Sequence, residues 1–140
     1  ILGGNGTDSL YGFSGSDCID GGQNDDNLWG DSHANNHDDP DLLPDRDVTP
    51  GADVFVLIDK LGKDVIHDFR VADGDKLVNT TNTTPSVTGG GGIFTVALKG
   101  QNNVIVHADV DTPEELEAHI VDGFANLEGE LASVCDGYPQ

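Results

Sequence analysis

Gly3–Tyr11 GGNGTDSLY, Gly12–Asp20 GFSGSDCID and Gly21–Trp29 GGQNDDNLW are three consecutive nine-residue blocks on one pattern. Each opens with Gly, places Asp sixth (Asp8, Asp17, Asp26) and places a large aliphatic residue eighth (Leu10, Ile19, Leu28). A fourth block opens at Gly30 and degenerates into GDSHANNHD. A short fixed period marks a repeat architecture, in which each unit buries its apolar residue by stacking on its neighbours. Glycine permits positive φ, so the first six residues of a block can curl tightly and turn carbonyl oxygens inward. The last three form a short strand whose middle side chain enters the core. Two blocks make one coil. Gly3–Asp8 is therefore expected to stack on Gly21–Asp26, and Gly12–Asp17 on Gly30–Asn35.

The aspartates decide the chemistry. A carboxylate beside inward-facing carbonyls makes an all-oxygen environment suited to a hard cation such as calcium. The composition points the same way. The chain carries 26 acidic against 6 basic residues, a formal charge of −20 over 140 residues. That excludes nucleic acid as a partner, because a phosphate backbone requires basic contacts. It also disfavours anionic membrane surfaces, and no apolar run is long enough for a membrane span. Without counter-cations, self-repulsion of this charge destabilises a compact state.

The blocks resemble the hemolysin-type (RTX) calcium-binding repeats of proteins secreted by Gram-negative bacteria. The resemblance implies a parallel β-roll and Ca2+ as cofactor. It also implies ligands from backbone oxygens at block positions one, two and four and from the Asp at six. Carried over, these are Gly3, Gly4, Gly6 and Asp8; Gly12, Gly15 and Asp17; Gly21, Gly22, Asn24 and Asp26. Phe13 departs from the pattern at position two of the second block, and Asn24 at position four of the third. Asn35 stands where a fourth Asp would, so Asp17 is expected to bind more weakly or to borrow another carboxylate. Further along, Gly51-Ala52-Asp53-Val54-Phe55-Val56, Asp64-Val65-Ile66-His67-Asp68-Phe69 and Asp73-Gly74-Asp75-Lys76-Leu77 resemble the segment that closes the roll in serralysin-type C-terminal domains. By that likeness Asp53, Asp64, Asp68 and Asp75 join the metal candidates, while Phe55, Ile66, Phe69 and Leu77 read as core. His67, next to Ile66, reads as an outward strand residue. At about two carboxylates per ion, the aspartates suffice for roughly three to five calcium ions.

The expected fold is mainly β. Residues 1–58 form a parallel β-roll interrupted by an Asp- and Pro-rich insertion at 31–50, and residues 59–140 form a β-rich C-terminal cap with one short helix. Pro40, Pro44 and Pro50 rule out a central strand in the insertion. Its aspartates (38, 39, 41, 45 and 47) are either further ligands or a solvated acidic loop. His33 and His37 have a zinc-compatible spacing but lack the helical pattern it would need. Residues 79–92, NTTNTTPSVTGGGG, read as a flexible polar loop with glycosylation-type sequons at Asn79 and Asn82. Ile93–Leu98 and Val104–Val106 read as a hairpin around Gly100-Gln101-Asn102. Thr112-Pro113-Glu114-Glu115 is a capping box opening a helix to about Val121, with Leu116 and Ile120 on its apolar face and Gly123 as its stop.

Cys18, at an outward block position, is open to three states: a bond to Cys135, a bond to another chain, or a free thiol. Tyr11 and Trp29, both ninth in their blocks, should lie one above the other on an outer sheet face. Either the C-terminal half packs over them or they form a platform for a partner or carbohydrate.

No nucleophile motif, HExxH helix or phosphate-binding loop occurs, so the chain is expected to be non-catalytic. The resemblance implies a secreted or cell-surface domain that folds on extracellular calcium and leaves by the type I secretion machinery through an uncleaved C-terminal signal. No stretch reads as an N-terminal signal peptide. Ile1 falls at position eight of a preceding block, so the chain is expected either to be processed there or, the favoured reading, to be the C-terminal part of a longer parent, with any catalytic domain upstream. Two alternatives accompany this reading. One is a calcium-dependent structural, filamentous or adhesive protein that self-associates through the β-roll edge. The other is the targeting tail of a secreted protease or lipase.

Overall fold

The computed structural model describes residues 1–13, 15–30, 51–58, 62–81, 83–98 and 103–136. The insertion at 31–50, Asn82 and the turn at 100–102 lie outside the described residues, and with them the expectations for His33, His37, Asn35 and the insertion's aspartates.

Among the described residues, ten strands form two sheets. The blocks supply β1 (Ser9–Tyr11), β2 (Cys18–Ile19) and β3 (Asn27–Trp29). Then come β4 (Val54–Leu57), β5 (Val65–Phe69) and β6 (Lys76–Asn79). Up to this point the chain alternates between sheets, odd strands in one and even strands in the other, and every pairing among them is parallel. The pairing β1 to β3 has the repeat's own register, Leu10 opposite Leu28 and Tyr11 opposite Trp29.

Position-eight residues and their successors face inward. Ile19, Leu28, Phe55, Ile66, Leu77 and Phe69 are buried in one cluster that draws on both sheets, with Leu10 packed against it. Full burial of each such side chain contributes about 1.5–3 kcal/mol.

The later strands break the pattern. β7 (Ser86–Gly90), β8 (Ile93–Ala97) and β9 (Val104–Ala108) complete a six-stranded sheet in the order β1-β3-β5-β9-β8-β7. The pairs β7·β8 and β8·β9 are antiparallel, so this sheet is mixed. The expected hairpin forms, with Phe94 opposite Val106. The expected polar loop at 79–92 instead contains β7. Gly91 and Gly92, both at positive φ, make a two-residue turn, the geometry that suits a tight hairpin, and Val87 anchors the strand in the core.

The helix is also shorter than expected. α1 (Pro113–Glu117) is capped by Thr112, whose hydroxyl accepts from the Glu115 N–H, and it buries Leu116. Ile120 lies instead in β10 (Ile120–Asp122), parallel to β6. Pairing with Leu77–Asn79 satisfies backbone groups that an isolated helical turn would leave to solvent. β10 completes the four-stranded sheet, β10-β6-β4-β2.

Two short 3-10 turns, Phe124–Asn126 and Gly129–Ser133, then cross the outer face of this second sheet. Leu127, Leu131 and Cys135 bury Val54, Val56 and Val78 there. A Cys18–Cys135 disulfide, spanning 117 residues of sequence, ties this cover to β2. Of the three cysteine states open in the sequence, the structure forms the intramolecular one.

Candidate metal-binding turns

The backbone of the turns follows the block period. Position two is at positive φ in all three blocks (Gly4, Phe13, Gly22), and so is position four (Gly6, Gly15, Asn24). Phe13 adopts φ 72° despite its bulk, a conformation that ordinary L-residues avoid at a cost of about 1–2 kcal/mol. The repeat geometry therefore overrides the preference of the residue.

Stacking brings the turns into close backbone contact. A methyl group on Gly3 would lie 2.3 Å from the Gly21 carbonyl oxygen, one on Gly22 2.3 Å from that of Gly4, and one on Gly12 2.4 Å from that of Gly30. On the other side of the insertion, a methyl on Gly51 would lie 2.2 Å from the Gly15 carbonyl oxygen. At Gly3 and Gly12 the neighbouring coil occupies the space of a side chain, and at Gly21 the carboxylate of the block's own Asp26 does.

The aspartates form two ladders along these stacks. In the first, the Asp8 N–H donates to Asp26 Oδ1 (2.7 Å) and the Asp26 N–H to Asp64 Oδ1 (3.0 Å). In the second, the Asp17 N–H donates to Asp53 Oδ1 (2.8 Å) and the Asp53 N–H to Asp75 Oδ1 (2.8 Å). Asp75 is held further by the Arg70 N–H on Oδ2. Asp17 thus has its partner in Asp53, 36 residues on. Asp68 belongs to neither ladder; its Oδ1 accepts from the Gly30 N–H (2.7 Å).

Each rung uses one carboxylate oxygen. Among the described residues, Oδ2 of Asp8, Asp17 and Asp26 is buried with no hydrogen-bond partner. A buried polar atom left unsatisfied costs about 1–3 kcal/mol, more when charged. The burden appears in the acidities. Burial pushes the Asp64 carboxyl up to about 7, and the neighbouring Asp26, Asp20 and Asp25 charges push in the same direction against the Asp26 N–H. Burial also raises Asp26 and Asp17 above the usual carboxylate range.

No three His, Cys, Asp or Glu side chains converge as a metal group among the described residues. A cation at either ladder would have to combine one or two carboxylates with main-chain oxygens of the glycine turns. Hard cations accept such mixed oxygen sets.

Asp20 is a carboxylate that block reading passed over. It is buried, accepts from the Gly22 N–H (2.8 Å), and its charge acts on both Asp26 and Asp64. Its signal was present in the sequence: position nine is Tyr11 and Trp29 in the flanking blocks, yet Asp in the second.

The two aromatics do stack, at 4.8 Å between ring centroids, and the row continues through His67 (4.2 Å from Trp29) to His107. His67 faces outward as expected, with Nε2 2.9 Å from Asn27 Oδ1. The rings lie face against face along the row. The C-terminal cover lies on the opposite sheet; the later chain reaches this row from the side, through β5 and β9. No helix among the described residues is long and apolar enough to cross a membrane. No protein-family model and no curated protein matches the chain.

Proposed function

We propose that this chain is a non-catalytic, secreted calcium-binding domain of the hemolysin-type repeat class, built as a parallel β-roll that folds on meeting extracellular calcium. The observation that carries the reading is the set of buried, unpartnered Oδ2 atoms on Asp8, Asp17 and Asp26, recurring at block position six. A divalent cation between coils would neutralise these oxygens and the stacked charges at once. Glycine turns of fixed conformation provide main-chain oxygens beside them. A structural ion that binds the folded but not the unfolded chain supplies folding free energy directly. In that role the charge of −20 keeps the chain expanded until the cation arrives. Metal-dependent folding after export follows from the same linkage, with type I secretion as the route that the repeat resemblance implies.

The test is a calcium titration of chelator-stripped protein followed by far-UV circular dichroism, with magnesium as control. A cooperative, chelator-reversible gain of β signal specific to calcium is the expected result. A spectrum already complete in chelator and unchanged by calcium would overturn the proposal.

A further inference from the structure

We propose that the Cys18–Cys135 disulfide is a redox clamp on the second aspartate ladder, so that oxidation tightens divalent-cation binding at Asp17, Asp53 and Asp75 and leaves the first ladder nearly unchanged. The inference rests on the calcium reading above and adds a regulator to it.

β2 is the shortest strand among the described residues. It is two residues long and pairs with β4 on one side; on the other, Ile1–Gly3 runs along it, with the Ile1 amino group on the Cys18 carbonyl, the Asp20 N–H on the Ile1 carbonyl and the Gly3 N–H on the Asp20 carbonyl. Yet it follows directly from Asp17, the first rung of the second ladder. Cys18 pairs in register with Val54, the residue after Asp53. The disulfide therefore holds the strand that positions one rung, opposite the strand that positions the next. Its other end, Cys135, is buried with Leu127 and Leu131 against Val54, Val56 and Val78. Opening the bond frees a two-residue strand from that cover. The rungs of the first ladder lead into β1, β3 and β5 of the other sheet; β2 meets that ladder at its far end, where the Asp20 carbonyl accepts from the Gly3 N–H and the Asp20 carboxylate from the Gly22 N–H.

Closure needs an oxidant, and a small-molecule disulfide such as oxidised glutathione suffices. One thiolate attacks it and releases one glutathione thiolate; the second thiolate then displaces the other from the mixed disulfide. The two cysteines lose two electrons and two protons, and the oxidant is reduced to two thiols. Because the coupling is reciprocal, cation binding at the second ladder must favour the oxidised pair by the factor that oxidation favours binding.

Calcium binding to the whole chain is measured calorimetrically in the oxidised state and after reduction with dithiothreitol. Reduction is expected to weaken one class of sites at least tenfold and to move the other less than twofold. Asp17→Asn should remove the redox-sensitive class, and Asp8→Asn the insensitive one. Equal weakening of both classes, or of neither, overturns the clamp while leaving calcium binding intact. Absence of calcium binding in both states overturns the functional reading itself. Should the reduced chain fail to fold, the reciprocal measurement decides. The disulfide is equilibrated with glutathione at rising calcium in wild type, Asp17→Asn and Asp8→Asn. Calcium is expected to favour the oxidised form about tenfold in wild type and Asp8→Asn and to have no effect in Asp17→Asn. The same calcium effect in both variants would overturn the clamp.

Discussion

The two aspartate ladders are built from the same motif and reach the same geometry by different routes. The first begins with rungs 18 residues apart, the spacing of one coil, and adds Asp64 from a later strand. The second cannot continue locally, because the fourth block lacks its Asp. It takes Asp53 from 36 residues away and Asp75 from 22 further on. Its two later rungs are fully buried, at 0% exposure, and Cys18 and Val54, the residues after Asp17 and Asp53, pack in the disulfide-tied cover. A repeat thus sets a position in space, and any stretch of chain that returns to that position can fill it.

The largest perturbation of this contrast is loss of the disulfide. A Cys18→Ser/Cys135→Ser variant should lose about 4–5 kcal/mol if chain entropy dominates, given a loop of more than 100 residues. Urea midpoints of variant and oxidised wild type measure this.

The first ladder responds to charge. Asp26→Asn should lower the urea midpoint in calcium and raise the calcium concentration at which the chain folds, because it removes a carboxylate of the ladder. A hundredfold weaker site loses about 2.7 kcal/mol of linkage. An unchanged midpoint and an unchanged calcium requirement would separate the ladder from cation binding.

Acidity gives the next measure. Asp64 holds its proton up to about 7 in the folded chain, against 3.8 for an ordinary carboxyl, and Asp17 and Asp26 shift in the same direction. The folded state therefore binds more protons than the unfolded one between these values. In chelator, stability should be greatest near pH 4 and fall as pH rises to about 7. Calcium should flatten that slope, which equilibrium unfolding across the range would show.

The turns answer to sterics. Gly12→Ala would press a methyl against the Gly30 carbonyl oxygen and should cost about 1–3 kcal/mol, as overpacking does. The smallest effect, and the one of opposite sign, is Phe13→Gly. It relieves a bulky residue of positive φ at a site 44% exposed, and should gain up to about 1 kcal/mol. Thermal midpoints of the two variants compare them directly.

Much of the ladder was legible beforehand. Asp8 over Asp26 followed from an eighteen-residue coil, and the inward Ile19, Leu28 and Phe55 from position eight. Asp53, Asp64 and Asp75 were reached by likeness to a roll-closing segment, and all three became rungs. Asp68, named with them, accepts from the Gly30 N–H. Asp20 was missed because block reading assigns meaning to positions one, two, four, six and eight and leaves position nine variable. β7 was missed because glycine and threonine read as loop until a neighbouring strand supplies the other half of each hydrogen bond.

The sequence by itself determined the turn conformation, the inward residues and the spacing of the first two rungs. All of these are periodic, and a period is a local property that chemistry repeats at every coil. Only the tertiary structure decided Asp17's partner, the conversion of Ile120 from helix to strand, the mixed sheet and the Cys18–Cys135 bond. Each depends on which distant segment returns to a given edge, and backbone pairing and apolar burial settle that together across the whole chain.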